Sequence, residues 1–325
     1  MSTAHTRLLL RDLKSLLAGL TALAAAYSPV AAQDVSAEAE RVVIAGTPLS
    51  MVPPLGFAPS ERFRGFESLE YPGASVMVVA MPAPFAEATA GFDESRLGAQ
   101  GMELLSRRPD TVGAVEGLRL EVAQEAQGMR FRKTILAFGD SAQTTLVNAT
   151  WLADDDDALA LPMATALASL RIDEDALADP RGALDFTVDE TAGNLREAAV
   201  MGTSLLLNRH GRIAPDLPDQ TAVLVDRSYS APVIEDAELF VQLRLRQLPG
   251  TWEIAPGEKV LPVTYGGLDG YQLRAINTDA ENEAATVAVV LEPGGGYFVL
   301  MGMYAPGDAM GKADAEEVLG TFRVR

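Results

Sequence analysis

Two residue types that often carry chemistry are scarce in this 325-residue sequence, which contains no cysteine and only two histidines. The lack of thiols excludes disulfides, Cys-ligated zinc, iron–sulfur clusters and thiol nucleophiles. His210, in the segment Asn208-Arg209-His210-Gly211-Arg212, has the side chain of a general base in a Ser-His-Asp arrangement. The sequence contains no Gly-x-Ser-x-Gly nucleophile elbow, however. We therefore interpret His210 as a turn residue at a strand end, and we predict no catalytic residue.

Four consecutive carboxylates, Asp154, Asp155, Asp156 and Asp157, form a compact group of potential cation ligands. A helix–loop–helix calcium loop also needs a central glycine and a terminal glutamate, and this segment lacks both. Aspartate at a helix N-terminus accepts hydrogen bonds from free N–H groups and interacts favourably with the helix dipole. We interpret the run as helix-terminal and solvated charge, with weak cation binding as the alternative.

The glycine-rich segment Pro293-Gly294-Gly295-Gly296 has the composition of a phosphate-binding loop. Such loops lead from a strand into the N-terminus of a helix. This segment leads into a predicted strand instead, so we predict a β-hairpin turn. No cofactor is predicted anywhere in the sequence.

Basic residues are the minority, with 26 against 45 acidic ones and a formal net charge of −19. This balance argues against a nucleic-acid binder, which needs a basic face. Arg130, Arg132 and Lys133 stand out at the start of a predicted strand, where Arg130 and Arg132 share one face. Two interpretations stay open for them: ion pairs with nearby carboxylates, or binding of an anionic ligand or partner. Pro84 and Phe85 lie in a predicted loop and are expected to contact a partner.

The N-terminal segment has the three-part layout of a secretory signal peptide. Arg7, Arg11 and Lys14 form a basic start, an apolar stretch follows at 16–26, and small residues precede the predicted cleavage site after Ala32. The apolar stretch is well short of the roughly 20 residues that span a bilayer. We predict that residues 1–32 are removed and that the mature chain is periplasmic or secreted, without stable membrane insertion.

The remaining sequence contains an internal repeat. Segments 115–120 and 144–147 align with 268–273 and 297–300 at an offset of 153, and 167–172 aligns with 319–324 at 152. Earlier in each copy, Val76 and Val78 align with Val223 and Val225 at an offset of 147. The alternative is that two α+β segments share generic alternation. We favour a duplication, with a first repeat at 33–176, a second at 183–325 and a boundary at 177–183.

Periodicity places similar elements in both copies, each an antiparallel sheet with a helix in its middle and another before its last strand. In the first copy the predicted strands are 42–52, 63–69, 75–81, 118–123, 129–138, 144–152 and 170–173, with helices at 92–108 and within 158–169, the latter having Pro162 in its first turn. In the second copy the predicted strands are 221–225, 271–276, 286–291, 297–304 and 321–324, with helices along 234–248 and at 308–320.

The unit resembles the PsbP-like and DcrB-like α/β/α sandwich. The residues that carry this resemblance are Leu-Asp-Gly-Tyr at 268–271, the hairpin at 293–296 and the helix-to-strand segment 318–322. In the first copy they are 115–117, 133–138 and 167–172. The resemblance implies an α+β fold and a non-catalytic accessory or binding protein. It transfers no functional residue, because the sequence has no matching site motif.

Two functions follow as alternatives. The first is an exported, non-catalytic protein that binds a partner protein or a small ligand, for example in a groove between the repeats. The second is a hydrolase that uses paired carboxylates in an inter-repeat cleft, since acidic residues are abundant and spacing alone cannot select two of them.

Overall fold

The computed structural model describes residues 40–126, 128–173, 179–213, 220–248, 250–279 and 283–325. The described chain divides into two compact units, the first ending at Ala183 and the second running from Leu184 to Arg325. The predicted signal peptide at 1–32 and the start of the predicted boundary lie outside the described residues. No helix in the described ranges is both long and apolar enough to cross a membrane.

The first unit contains a seven-stranded antiparallel sheet. Its order is β3-β4-β5-β9-β8-β7-β6, and a small separate sheet has the order β1-β2-β10. The strands are β1 (Val42–Val43), β2 (Leu49–Met51), β3 (Phe57–Pro59), β4 (Gly65–Ser68), β5 (Ser75–Met81), β6 (Met102–Val112), β7 (Val115–Ala126), β8 (Met129–Gly139), β9 (Thr144–Leu152) and β10 (Arg171–Ile172). The helices are α1 (Phe85–Thr89), α2 (Glu94–Gly98) and α3 (Asp156–Ala168).

One face of this sheet is covered by α3. Leu159, Met163 and Leu167 of the helix are buried in one cluster with Leu136 and Phe138 of β8. Pro162 lies inside the helix rather than in its first turn. The prediction for Pro162 was wrong because the helix begins at Asp156, where acidic side chains in the first turn interact favourably with its dipole.

The second unit contains an eight-stranded antiparallel sheet of order β12-β13-β14-β19-β18-β17-β15, with β16 also paired to β17 and a separate β11-β20 pair. The strands are β11 (Phe186–Thr187), β12 (Arg196–Met201), β13 (Ser204–Asn208), β14 (Ala222–Arg227), β15 (Trp252–Ile254), β16 (Leu261–Tyr265), β17 (Leu268–Asn277), β18 (Ala284–Leu291), β19 (Tyr297–Tyr304) and β20 (Arg323–Val324). The helices are α4 (Ala237–Arg246) and α5 (Ala309–Gly320).

Helices pack against both faces of this second sheet. Val318 and Leu319 of α5 lie in a core cluster with Phe186, Phe298 and Phe322, whose rings contact one another. On the other face, Val241 and Leu245 of α4 pack in a buried cluster with alternate residues of β17, β18 and β19. The predicted α+β class, with antiparallel sheets flanked by helices, is confirmed.

The two large sheets have corresponding strand orders and corresponding registers. Val76 of β5 pairs with Ala149 of β9, and Val223 of β14 pairs with Gly302 of β19. The two valines differ by the offset of 147 and their partners by the offset of 153, which are the offsets of the sequence alignment. Residues aligned by sequence therefore occupy equivalent places in strand pairing.

The helix predicted at 92–108 was wrong over most of its length. The segment forms α2, a turn in which Gly101 has a φ of +73°, and then the edge strand β6. Since β6 pairs along its whole length with β7, backbone pairing outweighs the helical spacing of the leucines.

Other boundaries also differ from the sequence expectation. The strand predicted at 42–52 is split into β1 and β2 by a turn, and β12, β13, β15 and β16 were not predicted. In contrast, β5, β9 and β19 have the predicted bounds. The predicted hairpin at Pro293–Gly296 is confirmed, with three consecutive positive-φ glycines linking β18 to β19.

Candidate functional site

Strand β8 separates the basic residues that are adjacent in the sequence. Because side chains alternate across a strand, Arg130 and Arg132 lie on the α3 face with Leu136, while Lys133 lies on the opposite face with Ile135. The arginines and Lys133 therefore do not form one basic patch.

Both arginines have carboxylate neighbours. Arg130 Nη2 donates to Glu103 Oε2 at 3.1 Å, with both side chains more than half exposed. Arg132 Nε lies 4.0 Å from Asp156 Oδ2, and Trp151 Nε1 donates to the other oxygen of that carboxylate at 2.9 Å. These contacts favour the ion-pair interpretation for Arg130 and Arg132.

The acidic run lies at the start of α3. Asp154 and Asp155 belong to a 3-10 turn, while Asp156 and Asp157 occupy the first helical turn. Asp155 makes no capping hydrogen bond with its side chain, and its pKa is raised by burial and by the charge of Asp154. Across the described ranges, no three metal-ligating side chains come together in a way that could hold an ion.

Phe85 is the first residue of α1, which contacts β8, and Pro84 precedes it as the N-cap, so the loop predicted for Phe85 was wrong. The backbone N–H of Phe85 donates to Asp140 O at 2.8 Å, and Thr144 Oγ1 donates to Ala83 O at 2.8 Å. The segment is therefore attached to the β8–β9 turn, and the side chain of Phe85 is half-buried.

The most unusual group in the first unit is the amine of Lys133. The residue is 2 % exposed, and Nζ has no hydrogen-bond partner among the described residues. Burial lowers the pKa of Lys133 to about 8, and no neighbouring charge contributes to the shift. Burying an ammonium group without a counterion costs free energy, and a bound anion would lower this cost.

Three buried polar residues surround Lys133 on the same face of the sheet. Thr150 lies directly opposite Lys133 on β9. Two pairs further along β8, Asn148 of β9 is paired with Ile135, and two pairs in the other direction Gln124 of β7 is paired with Phe131. We call these residues and Lys133 the Lys133 cluster: Gln124, Lys133, Asn148 and Thr150.

Within the Lys133 cluster, hydrogen-bonding capacity is left over. Thr150 Oγ1 donates to Asn148 Oδ1 at 3.4 Å, which leaves Asn148 Nδ2 as a buried donor without a partner among the described residues. Gln124 Oε1 is a buried acceptor that also has no partner among the described residues. The cluster thus offers one cation, one donor and one acceptor to a bound molecule.

In the second sheet, apolar residues occupy the positions equivalent to Lys133 and Asn148. Thr150 aligns with Met303, whose partner on β18 is Ala285, so Ala285 takes the place of Lys133. Asn148 aligns with Met301. These residues lie in an apolar cluster with α4, which supplies Val241 and Leu245. The polar residues at the positions of Lys133 and Asn148 are therefore specific to the first unit, whereas Gln124 aligns with Asn277, which is also polar and buried.

Sequence reasoning selected Lys133 but missed Gln124, Asn148 and Thr150. The signal in the sequence is a polar residue at a strand position whose same-face neighbours are apolar, as Phe131 and Ile135 are beside Lys133. The signal becomes specific only when strand pairing places several such positions together.

Two carboxylates that are partly buried in the second unit, Asp226 and Glu316, already have hydrogen-bond partners. Asp226 Oδ1 accepts from Thr203 Oγ1 at 2.9 Å and from Ser204 Oγ at 2.7 Å. Glu316 Oε1 accepts from Arg274 Nη2 at 2.9 Å, and Arg274 also lies 3.5 Å from Glu258.

His210 lies in a turn directly after β13, as predicted. Its backbone N–H donates to Asn208 Oδ1 at 2.9 Å. Nε2 of His210 is buried and has no hydrogen-bond partner within the described ranges.

No family model and no curated protein sequence matches the chain. Several solved structures are similar at low identity. Cyanobacterial PsbP from Synechocystis is 13 % identical over 45 % of this chain and 99 % of its own, with a TM-score of 0.32. LpqN, involved in cell envelope biogenesis of Mycobacterium tuberculosis, is 11 % identical over 42 % and 86 %, with a TM-score of 0.31.

The immunity protein TplEi of the type VI secretion system of Pseudomonas aeruginosa is 12 % identical over 88 % of this chain and 97 % of its own, with a TM-score of 0.30. At these identities and scores, no residue role and no function is carried over.

Proposed function

We propose that this chain is an exported, non-catalytic binding protein whose first unit holds a small anionic ligand at the Lys133 cluster. The observation that carries the proposal is the buried Lys133 amine, which has no partner among the described residues. An anion at this position would supply the missing counterion and accept from Asn148 Nδ2. Protein sites for small molecules combine a few such polar groups with apolar surroundings.

The two units are proposed to be a tandem duplication, with repeats at 33–176 and 183–325. The corresponding strand orders and the agreement of register with the sequence offsets support this proposal. Because Ala285 and Met301 replace Lys133 and Asn148, we assign the ligand to the first repeat alone.

Export is proposed from the N-terminal sequence, with cleavage after Ala32. Mass spectrometry of the protein recovered from the periplasm or medium should find Gln33 at its N-terminus. Recovery of a chain that still begins at Met1 would contradict the proposal.

The test of ligand binding compares the full-length protein with two variants. We expect small carboxylates to raise the melting temperature of the wild type and of Arg132→Met, because Arg132 lies on the opposite face. Lys133→Met should show no such response. If no small anion stabilises the wild type in a Lys133-dependent manner, the proposal fails.

A partner protein is proposed to contact Pro84 and Phe85. Affinity capture from the periplasm with the wild type and Phe85→Ala tests this contact, with Arg130→Met as a surface control. Equal recovery of every partner by Phe85→Ala would contradict it.

The carboxylate-based hydrolase gains no specific observation in its favour. Asp226 is held by two hydroxyl groups, and Glu316 is held by Arg274.

A further inference from the structure

We infer that the ligand of the Lys133 cluster is a short aliphatic hydroxy monocarboxylate, an inference that rests on the proposed function. It follows from the charge of the cluster, its unpaired donor and acceptor, and the apolar residues around it.

The charge of the cluster selects a monoanion. Lys133 is its only ionisable side chain, and the residue opposite it on each neighbouring strand is neutral: Val122 on β7 and Thr150 on β9. A ligand with two negative charges would bury one of them without compensation, which is costly. A phosphate dianion or a dicarboxylate therefore fits the cluster less well than one carboxylate.

The carboxylate of the ligand satisfies the two donors of the cluster. One carboxylate can accept from Lys133 Nζ and from Asn148 Nδ2, which are both buried and lack partners among the described residues. Asn148 Oδ1 already accepts a hydrogen bond from the Thr150 hydroxyl. The ligand carboxylate would therefore accept from Asn148 Nδ2.

Gln124 Oε1 requires a donor, which a carboxylate does not supply. The ligand must therefore carry an O–H or N–H group as well. An ammonium group would place a second buried positive charge beside Lys133, with no acidic side chain in the cluster to balance it. A neutral hydroxyl meets the demand of Gln124 without this cost.

The rest of the ligand is expected to be short and aliphatic. Phe131 and Ile135 flank Lys133 along β8, and Val122 lies opposite it; all three side chains are buried. Methyl and methylene groups bury favourably against such residues.

The experiment is isothermal titration of the full-length protein with matched small probes. These are 2-hydroxybutanoate, 3-hydroxybutanoate, butanoate, methyl 3-hydroxybutanoate and inorganic phosphate. We expect one hydroxybutanoate to bind about tenfold more tightly than butanoate, because one additional buried hydrogen bond forms. The methyl ester and phosphate should bind more weakly than butanoate.

Two variants separate the contributions. Gln124→Leu should abolish the preference for the hydroxyl group while butanoate binding persists, and Gln124→Met serves the same purpose if Gln124→Leu does not fold. Lys133→Met should no longer bind butanoate or either hydroxybutanoate.

Each alternative result contradicts a distinct statement. Equal affinities for butanoate and both hydroxybutanoates would overturn the hydroxyl inference, as would a preference that survives in the Gln124 variants. Tighter binding of phosphate would overturn the monocarboxylate inference, although a Lys133-dependent anion site would remain. Absence of any Lys133-dependent binding would overturn the proposed function itself.

Discussion

Lys133 and Thr150 are directly opposed across β8 and β9, and the equivalent pair in the second sheet is Ala285 and Met303. The same position in two corresponding sheets is thus occupied by a buried amine in one unit and by a methyl group in the other. In the second unit the face is closed by α4, a helix of ten residues, whereas in the first unit the connection after β5 forms two helices of five residues each. The sheet of the second unit therefore packs without a charged residue at this position.

Replacement of Lys133 by methionine should stabilise the protein in the absence of ligand. Burial depresses the pKa of Lys133 from 10.5 to about 8, which corresponds to a penalty of roughly 3 kcal/mol at neutral pH. Chemical unfolding followed by tryptophan fluorescence measures the difference, and Arg132→Met is the control on the opposite face.

The advantage of Lys133→Met should also depend on pH in a defined direction. Between pH 8 and 10.5 the unfolded chain holds its lysine proton while the folded chain has released it, so wild-type stability rises with pH in this window. The difference between the two proteins should be full below pH 8 and shrink towards pH 10.5. A difference that stays constant across this range would show that burial of the charge is not its cause.

Gly117 and Gly270, which the sequence alignment pairs, should both be required for strand packing. Substitution of Gly270 should have the larger effect. A Cβ on Gly270 would lie 1.9 Å from Val289 O, while a Cβ on Gly117 would lie 2.7 Å from Ala137 O. Gly270→Ala should therefore cost more stability than Gly117→Ala, with losses of about 1–3 kcal/mol or more.

Gly320→Ala is the matched control for these substitutions. Gly320 is the last residue of α5, and a Cβ there meets nothing within 4 Å. Alanine at this site should be neutral or stabilising, since it restricts the unfolded chain. Equal losses in all three variants would contradict the steric explanation for the two strand glycines.

Arg227 should contribute far more to stability than Arg130, although both form ion pairs. Arg227 donates to both oxygens of Glu292, at 2.7 and 3.2 Å, is paired with Asp185 and lies over the ring of Phe298; its side chain is 13 % exposed and that of Glu292 is 12 % exposed. Arg227→Met removes the cation beside Glu292, a largely buried carboxylate, and should cost about 3–5 kcal/mol.

The exposed pair of Arg130 and Glu103 provides the comparison. Arg130→Met should change the free energy of unfolding by less than about 1 kcal/mol, because solvent screens the pair. Urea unfolding of both variants measures the contrast. An Arg227→Met loss no larger than that of Arg130→Met would mean that burial does not strengthen this pair.

Asp226→Asn should reveal a carboxyl group that resists ionisation. Burial raises the pKa of Asp226, despite the opposing hydrogen bonds from Ser204 and Thr203 and the positive charge of Arg244. A raised pKa means that the folded state holds its proton more tightly, so this group stabilises the fold fully below about pH 3.8 and less as the pH rises.

The wild type should therefore lose stability relative to Asp226→Asn as the pH rises from 4. Subtracting the two pH profiles cancels the other carboxylates, which the proteins share. A wild type that gains stability over the variant with rising pH would show that the hydroxyl groups and Arg244 outweigh burial.

The sequence by itself determined the elements whose pattern is local. Alternating apolar residues predicted β9 and β19 with the observed bounds, and the stripe along 234–248 predicted α4. The aligned valines and glycines also predicted corresponding positions in the two sheets. Lys133 was selected as a basic residue in an acidic chain.

Only the tertiary structure decided how these elements pair and which side chains meet. Pairing with β7 placed residues 102–108 in a strand, where local spacing had indicated a helix. The face occupied by α3 separated Lys133 from the arginines beside it in sequence and placed it with Gln124 and Asn148. These outcomes depend on contacts between distant segments, and burial of a charge is a property of those contacts rather than of the residue.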